Sequence, residues 1–159
     1  MTEPRLSRTA LAGSGLVPAR PDGTGIVHLG LGNFHRAHQA VYTAAALAQD
    51  GGSWGILGVA NRSRTVTDAM LAQDLLYGVV EISPSGSRVN VPGAHTGVMV
   101  AAHDPAAVVR AIADPDVKIV TVTVTEHGYT FSPRTGELDL ESAAVQQDLA
   151  RQDAPTTTV

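Results

Sequence analysis

Residues 26–42, IVHLGLGNFHRAHQAVY, combine two glycines with a histidine and an arginine in an order that could bind a phosphate. Gly30 permits a tight turn after an apolar run, and Gly32 would let the backbone approach a pyrophosphate at the start of a helix. His35 stands where the usual dinucleotide fingerprint has a third glycine. Arg36 places a cation in the first helical turn, where the helix dipole alone disfavours one, so it either meets a phosphate or faces solvent. The segment is therefore either an altered dinucleotide-binding turn or an ordinary strand–turn–helix.

Strand-like and helix-like segments alternate along the chain, and these must hold the glycine turn in place. Apolar or β-branched runs predict main strands at 26–29, 54–59, 75–82 and 118–126, and RVNV and GVMVAA predict two short strands, possible partners in a hairpin. Helices are predicted at 36–50, 64–74, 104–115 and 141–153, the third with Asp104 as N-cap and Pro105 at its first position. This alternation predicts an α/β fold, a Rossmann-type parallel sheet with flanking helices.

The end of the second predicted strand carries arginines instead of an acidic residue. In such sheets ligands bind beyond the carboxyl ends of the strands, and a carboxylate here usually grips the ribose hydroxyls of NAD. The chain instead reads Asn61-Arg62-Ser63-Arg64, with no acid before Asp68. Arg62 and Arg64 are either solvated loop charges or partners for the 2′-phosphate of NADP.

Two further groups of polar residues have the positions or the spacing of a binding site. Glu126 follows the last β-branched residue of the fourth predicted strand, where it lies either in a solvated loop or near a ligand. His35 and His38 have the i, i+3 spacing of a metal pair, but no third ligand is evident, so no metal site is predicted. His28, His95 and His103 are scattered through the sequence, and a structural or solvated role is the expectation for each.

Composition excludes several classes of protein. The 159 residues suffice for one domain with a real core, and a net charge of −4 with 11 Lys and Arg gives no basic surface for nucleic acid. No cysteine is present, so thiolate chemistry is excluded. No apolar run approaches the ~18 residues that cross a bilayer, and the first 20 residues lack a continuous apolar segment. No membrane association is expected, and a cytoplasmic location is the default expectation.

The string Gly-x-Gly-x-Phe-His-Arg-Ala-His in residues 30–38 resembles the signature opening of the mannitol dehydrogenase family, the polyol-specific long-chain dehydrogenases. That family includes mannitol 2-dehydrogenases and the fructuronate and tagaturonate reductases. Further similar segments follow in register at WGILGVANRS (54–63), LAQDLLYGVVE (71–81) and VTVTVTEHGY (120–129). The resemblance covers roughly residues 24–159, and it makes His35 a family trait instead of an objection to a dinucleotide site.

The resemblance implies which residues contact the coenzyme. The implied set comprises the glycine turn, the start of the following helix and the ends of two strands: Gly30, Gly32, Asn33, Phe34, His35, Arg36, Arg62, Arg64, Thr125 and Glu126. NAD is the implied coenzyme. The family often carries acidic residues about where Arg64 and Thr65 stand, and this departure makes NADP possible as well.

The resemblance also implies the reaction. An enzyme of this family passes a hydride between NAD(P) and a polyol, ketose or hexuronate. Its catalytic lysine, with asparagine and histidine partners, belongs to a helical C-terminal domain, and no catalytic residue is assigned in this chain. The only lysine, Lys118, enters the fourth predicted strand at its amino end, away from the ligand edge.

The expected organisation is an irregular arm over residues 1–25 and the N-terminal part of a dinucleotide-binding Rossmann domain over 26–159. The sheet is expected to lack its last strands, the C-terminal catalytic domain is expected to be absent, and the chain alone is expected to be inactive. The strand edge at Ile119–Thr125 would then be a template for self-association. Three alternatives stay open: a non-catalytic nucleotide-binding module or remnant, an α/β protein without a dinucleotide, and completion by a separate chain.

Overall fold

The computed structural model describes residues 5–12, 20–124 and 130–151, which belong to two units, Met1–Thr123 and Val124–Val159. The described residues of the first unit form ten elements. They are β1 (Thr24–Leu29), α1 (Asn33–Ala37), α2 (Gln39–Asp50), β2 (Gly55–Ala60), α3 (Thr65–Leu71), β3 (Val79–Ser83), β4 (Gly86–Asn90), β5 (His95–Val100), α4 (Pro105–Ile112) and β6 (Ile119–Val122). In the second unit a bridge pairs Phe131 with Leu138, and α5 (Ala143–Ala150) buries Val145.

Four parallel strands form the main sheet, in the order β5-β2-β1-β6. The chain runs outward from the central strand β1 through β2 to β5, and then returns to the other side of β1 as β6. Such a reversal of strand order is a topological switch point, the place where open α/β sheets bind their ligands. The predicted α/β fold with a parallel sheet and flanking helices is confirmed.

Helices lie on both faces of this sheet and bury both sides of β1 and β2, whereas the edge strand β6 is largely exposed. On one face Ala40 and Leu47 of α2 and Met70 of α3 pack with Ile26 and Ile56 in the larger core cluster. On the other face Val108 of α4 packs against Val27 and Val59. Asp104 caps α4 as predicted, since its Oδ1 accepts a hydrogen bond from the Ala107 amide at 2.8 Å.

The prediction of a main strand at 75–82 is wrong, because this segment does not join the parallel sheet. Asp74 and Leu75 adopt left-handed conformations with φ of 54° and 62°, which interrupt any extended run. The chain then forms β3, which pairs antiparallel with β4 across a two-residue turn. The predicted pairing of RVNV with GVMVAA is also wrong, since β5 lies beside β2 as the third parallel strand.

The first helix also differs from its prediction over 36–50. It begins at Asn33 and breaks at His38, where φ is −122° and ψ is −84°, before α2 continues. The break separates two environments, because His35 before it is buried while His38 is exposed. None of the helices in the described part of the chain is long and apolar enough to cross a membrane.

Candidate functional site

The glycine turn joins β1 to α1 at the carboxyl edge of the sheet, beside the switch point. The amides of Gly30 and Leu31 both donate to the Val59 carbonyl, at 2.9 and 3.1 Å. Gly30 has a φ of +107°, and a Cβ there would lie 3.0 Å from the Thr123 carbonyl oxygen at the end of β6. Both the conformation and the close approach exclude a side chain. The turn therefore lies against both neighbouring strands of β1, and glycine at position 30 is required for this packing.

Gly32 differs from Gly30, because an added Cβ at Gly32 would enter open space. Its φ of −96° suits any residue, and the nearest atom to an added Cβ is the Gly30 carbonyl oxygen at 3.8 Å. It precedes α1 as the N-cap, with no side chain to cap the helix. The missing side chain thus gives a ligand direct access to backbone, which is the property that a pyrophosphate site needs.

Arg36 is held beside this turn by contacts within its own segment. Its Nε donates to the Gly32 carbonyl at 3.3 Å, and its Nη2 donates to the side-chain oxygen of Asn33. The guanidinium also lies 5.7 Å from the ring centre of Tyr77, whose hydroxyl donates to the Arg36 carbonyl at 3.1 Å. No carboxylate in the described residues forms an ion pair with Arg36, so its charge is available to an anion at the turn.

Phe34 lies on the outer side of α1 and starts a row of exposed rings. Its ring stacks on that of His38 at 5.2 Å, and His38 meets Tyr42 edge-on at 5.1 Å. Phe34 and Tyr42 are each 68% exposed. Phe34 is thus accessible to a flat ligand ring beside the turn, as its predicted role requires.

His35 lies beneath the turn, and its ring is 1% exposed. It stacks on His28 with 3.7 Å between ring centres, and its Nε2 lies 3.1 Å from His95 Nε2. Its predicted contact with a coenzyme stays a prediction, and the buried ring favours support of the turn from within the core.

His28 and His95 are the residues of this region that sequence reasoning missed. They join His35 in one buried cluster, at 2% and 3% exposure. Gly58 faces His28 in register, and its missing side chain leaves the space that Leu31 and His95 fill. His28 shares a strand face with Ile26, which could have signalled burial, whereas the position of His95 carried no comparable signal.

Burial makes the cluster resist protonation. Desolvation, reinforced by the neighbouring His28 and Arg36, lowers the pKa of His35 to about 4. Desolvation, with His35 and His28 nearby, lowers the pKa of His95 to about 3, and desolvation also lowers the pKa of His28. Each ring is therefore neutral near pH 7, with one nitrogen as donor and the other as acceptor.

The arginines after β2 lie at the same carboxyl edge, in an exposed loop. Arg64 is the N-cap residue of α3, and its Nε is 3.4 Å from Asp68 Oδ1, with both side chains more than half exposed. A solvated pair of this kind contributes little stability, so the guanidinium can change partner at small cost. Arg62 is exposed as well. Thr125 and Glu126 lie outside the described residues.

Lys118 lies where the sequence predicted, at the amino end of β6 and so at the opposite edge of the sheet. Its Nζ donates to the Ser53 carbonyl at 2.9 Å and lies 4.6 Å from the ring centre of Trp54. Among the described residues, no group of three His, Asp or Glu side chains has the geometry to hold a metal ion. This part of the chain therefore offers backbone, a cation and a ring for binding.

Known proteins with sequences similar to this chain include a polyol oxidoreductase and a mannitol dehydrogenase. Residues 24–157 match the mannitol dehydrogenase Rossmann domain. A polyol:NADP oxidoreductase of Gluconobacter oxydans is 44% identical over 138 residues, which are 84% of this chain and 28% of that protein. A mannitol 2-dehydrogenase of Cereibacter sphaeroides is 41% identical, again over 84% of this chain and 28% of the relative. The chain thus spans less than a third of the length of these curated relatives.

Two solved structures share the fold. A substrate-free D-sorbitol dehydrogenase superposes with a TM-score of 0.75 at 42% identity, covering 86% of this chain and 29% of that one. A Pseudomonas fluorescens mannitol 2-dehydrogenase, in a ternary complex with NAD and D-mannitol, gives a TM-score of 0.81 at 33% identity. The superposed region covers 96% of this chain and 33% of the mannitol 2-dehydrogenase chain, so the likeness extends over nearly all of the 159 residues.

Proposed function

The chain belongs to the mannitol dehydrogenase family, of which it contains the Rossmann domain segment, and from this we propose that it binds a nicotinamide dinucleotide at the glycine turn. We further propose that the whole protein passes a hydride between NAD(P) and a polyol, ketose or hexuronate. The observation that carries the proposal is the open backbone at Gly32, at the switch point of the sheet. Beside it lies the Arg36 guanidinium, which forms no ion pair with a carboxylate of the described residues.

Each residue of the turn would make a different contact with the coenzyme. Gly32 would admit the pyrophosphate to the backbone, and Arg36 would neutralise part of its charge through charge-assisted hydrogen bonds. Phe34 would offer a flat apolar surface at the rim. When bound, the nicotinamide ring supplies or accepts the hydride, while the chain orients it.

The loop after β2 would decide between the two coenzymes. NAD remains the first choice, since one similar structure holds NAD. NADP is supported by two observations: no carboxylate occurs in residues 61–64, and a relative 44% identical to the chain is named for NADP. Arg64 would leave its solvent-exposed ion pair with Asp68 and form a new ion pair with the 2′-phosphate of NADP.

Titration of the purified 159-residue chain with NADH and with NADPH, followed by coenzyme fluorescence, tests the binding proposal. We expect saturable binding that Gly32→Val weakens by about tenfold or more, since the new side chain fills the open approach; that is ~1.4 kcal/mol. Gly78→Val is the matched control, because Gly78 is also unstrained, with its nearest neighbouring atom 3.8 Å from an added Cβ. A folded chain that binds neither coenzyme would contradict the proposal.

We also propose that the described residues bind coenzyme without catalysing the reaction. Lys118 is held at the wrong edge of the sheet, and the histidines of the buried cluster are closed off from solvent. An assay with NADH or NADPH against fructose, fructuronate and tagaturonate is expected to give no turnover by this chain alone. Robust turnover of any of them would refute this part of the proposal.

A further inference from the structure

The carbonyl of Gly30 fixes the hydrogen positions of a buried polar chain. His28 Nε2 lies 3.1 Å from this oxygen and 3.1 Å from the Thr123 hydroxyl oxygen. Because a carbonyl can only accept, we assign the proton to Nε2, and the Thr123 hydroxyl oxygen then serves as a second acceptor. Nδ1 of the same neutral ring is then unprotonated and can only accept. It accepts from the Thr121 hydroxyl, which lies 2.8 Å away.

The proton on His28 Nε2 sets the hydrogen positions of the later members of the chain. Thr121 has one hydroxyl hydrogen, and we assign it to His28 Nδ1 at 2.8 Å instead of Gln39 Oε1 at the longer 3.3 Å. Thr121 Oγ1 then accepts from Gln39 Nε2 at 3.1 Å. The amide of Gln39 is thereby oriented, and its Oε1 accepts from His35 Nδ1 at 3.0 Å. His35 Nε2 is then unprotonated and accepts a hydrogen bond from His95 Nε2 at 3.1 Å. His95 Nδ1, which has no partner in the described residues, is left as a bare acceptor at the far end.

We propose that this directional chain positions the glycine turn for the coenzyme, with His28, Thr121 and Gln39 as positioning residues; the role rests on the proposed coenzyme site. The link to the site is the Gly30 carbonyl, which accepts from His28 and also from the Gly32 amide at 2.6 Å. The orientation of the Gly30–Leu31 peptide is therefore coupled to Gly32, whose open side faces the proposed ligand.

The backbone needs such a restraint because Gly30 has no side chain to limit it. On one side the Gly30 and Leu31 amides hold the Val59 carbonyl, and on the other His28 holds the Gly30 carbonyl. His28 can donate to the Gly30 carbonyl only in its Nε2–H form, and the Thr121 hydroxyl satisfies the unprotonated Nδ1 of that form by donating to it. The lowered pKa values of the three histidines keep the chain neutral and so preserve its direction.

The first arm of the test reads the tautomers without any coenzyme. Nitrogen-15 NMR of the imidazoles in the 159-residue chain at about pH 7 is expected to show Nε2–H for His28 and His95 and Nδ1–H for His35. A His28 ring with its proton on Nδ1, or a mixture of both forms, would overturn the assigned direction and the positioning role with it.

The second arm measures affinity for NADH and NADPH in matched variants. Thr121→Val removes the relay hydroxyl while keeping the shape of the strand residue, and we expect it to weaken binding by about fivefold to tenfold, the effect of about one hydrogen bond. Thr121→Ser restores the hydroxyl and should restore both affinity and the His28 tautomer. Thr96→Val is the control, because it loses a comparable hydroxyl contact, 2.6 Å to Thr24, away from the turn.

The outcomes separate this inference from the proposed function. If the unaltered chain binds coenzyme and Thr121→Val binds equally well, the positioning role is wrong and the coenzyme site stands. If Thr96→Val weakens binding as much as Thr121→Val, the effect is general loss of stability, which also overturns the role. If the unaltered chain binds neither coenzyme, both proposals fail, even with the tautomers as assigned.

Discussion

Mild acid should destabilise this protein through its buried imidazoles. Unfolded histidine has a pKa near 6.5, whereas the folded values are about 4 for His35 and about 3 for His95. Between these limits the unfolded chain binds more protons than the folded one, so the free energy of unfolding falls as the pH falls. The stability is fully present above about pH 7.5 and is lost progressively below it.

The size of the loss follows from the difference in pKa. At about pH 5 each of the two histidines costs ~2 kcal/mol, from roughly 1.5 pH units at ~1.36 kcal/mol per unit. Together they remove about 4 kcal/mol between about pH 8 and pH 5, a large share of the 5–15 kcal/mol typical of a domain. The lowered pKa of His28 acts in the same direction.

Urea unfolding followed by circular dichroism at a series of pH values measures this effect. His95→Gln should reduce the loss by about 2 kcal/mol, because one depressed pKa is removed. His103→Gln, at an exposed histidine, should leave the slope unchanged. A free energy of unfolding that stays level from about pH 8 to pH 5 would refute the reasoning, since it would mean that the rings are solvated or already charged in the folded state.

Three substitutions test other parts of the structure. Gly30→Ala should lower the free energy of unfolding by about 1–3 kcal/mol in urea denaturation, because its φ of +107° and its contact with Thr123 both oppose a Cβ; an unchanged midpoint would show that the turn has another conformation. Arg64→Asp should weaken NADPH binding more than NADH binding in parallel titrations, and equal effects would place Arg64 away from the 2′-phosphate. Asp104→Ala should cost about 1 kcal/mol in thermal unfolding through loss of the α4 cap, and Asp104→Ser should recover most of it.

The sequence was a good guide wherever a signal is local. The turn at Gly30, the cap at Asp104 and the position of Lys118 each depend on a few adjacent residues, and each prediction agrees with the structure. The sequence predicts the wrong segment as the third parallel strand, because the apolar runs at 75–82 and 97–102 look alike locally. Only tertiary pairing selects the second of them as the neighbour of β2.

The residues of the candidate site also differ in whether a local sequence signal points to them. Gly32 and Arg36 could be proposed as a phosphate site from their spacing, because a glycine and a cation at a strand–helix turn form a local arrangement. His95 could not, since its contact with His35 joins residues 60 positions apart and depends on the space above Gly58. Thr121 looked like an ordinary β-branched strand residue, and its hydroxyl gains a role only when β6 lies beside β1.

The pairing of His28 with Thr121 has a consequence for how the sheet assembles. β6 alternates hydroxyl and valine side chains, Val120, Thr121, Val122, so a shift of one residue would bring a valine against His28. The buried ring would then lose the donor to its Nδ1, a penalty of ~1–3 kcal/mol that no valine contact offsets. Parallel strands joined by long connections have little local information to align them. Here the polar chain selects strand alignment against one-residue shifts, because the observed register gives each assigned proton from His95 to Gly30 an acceptor.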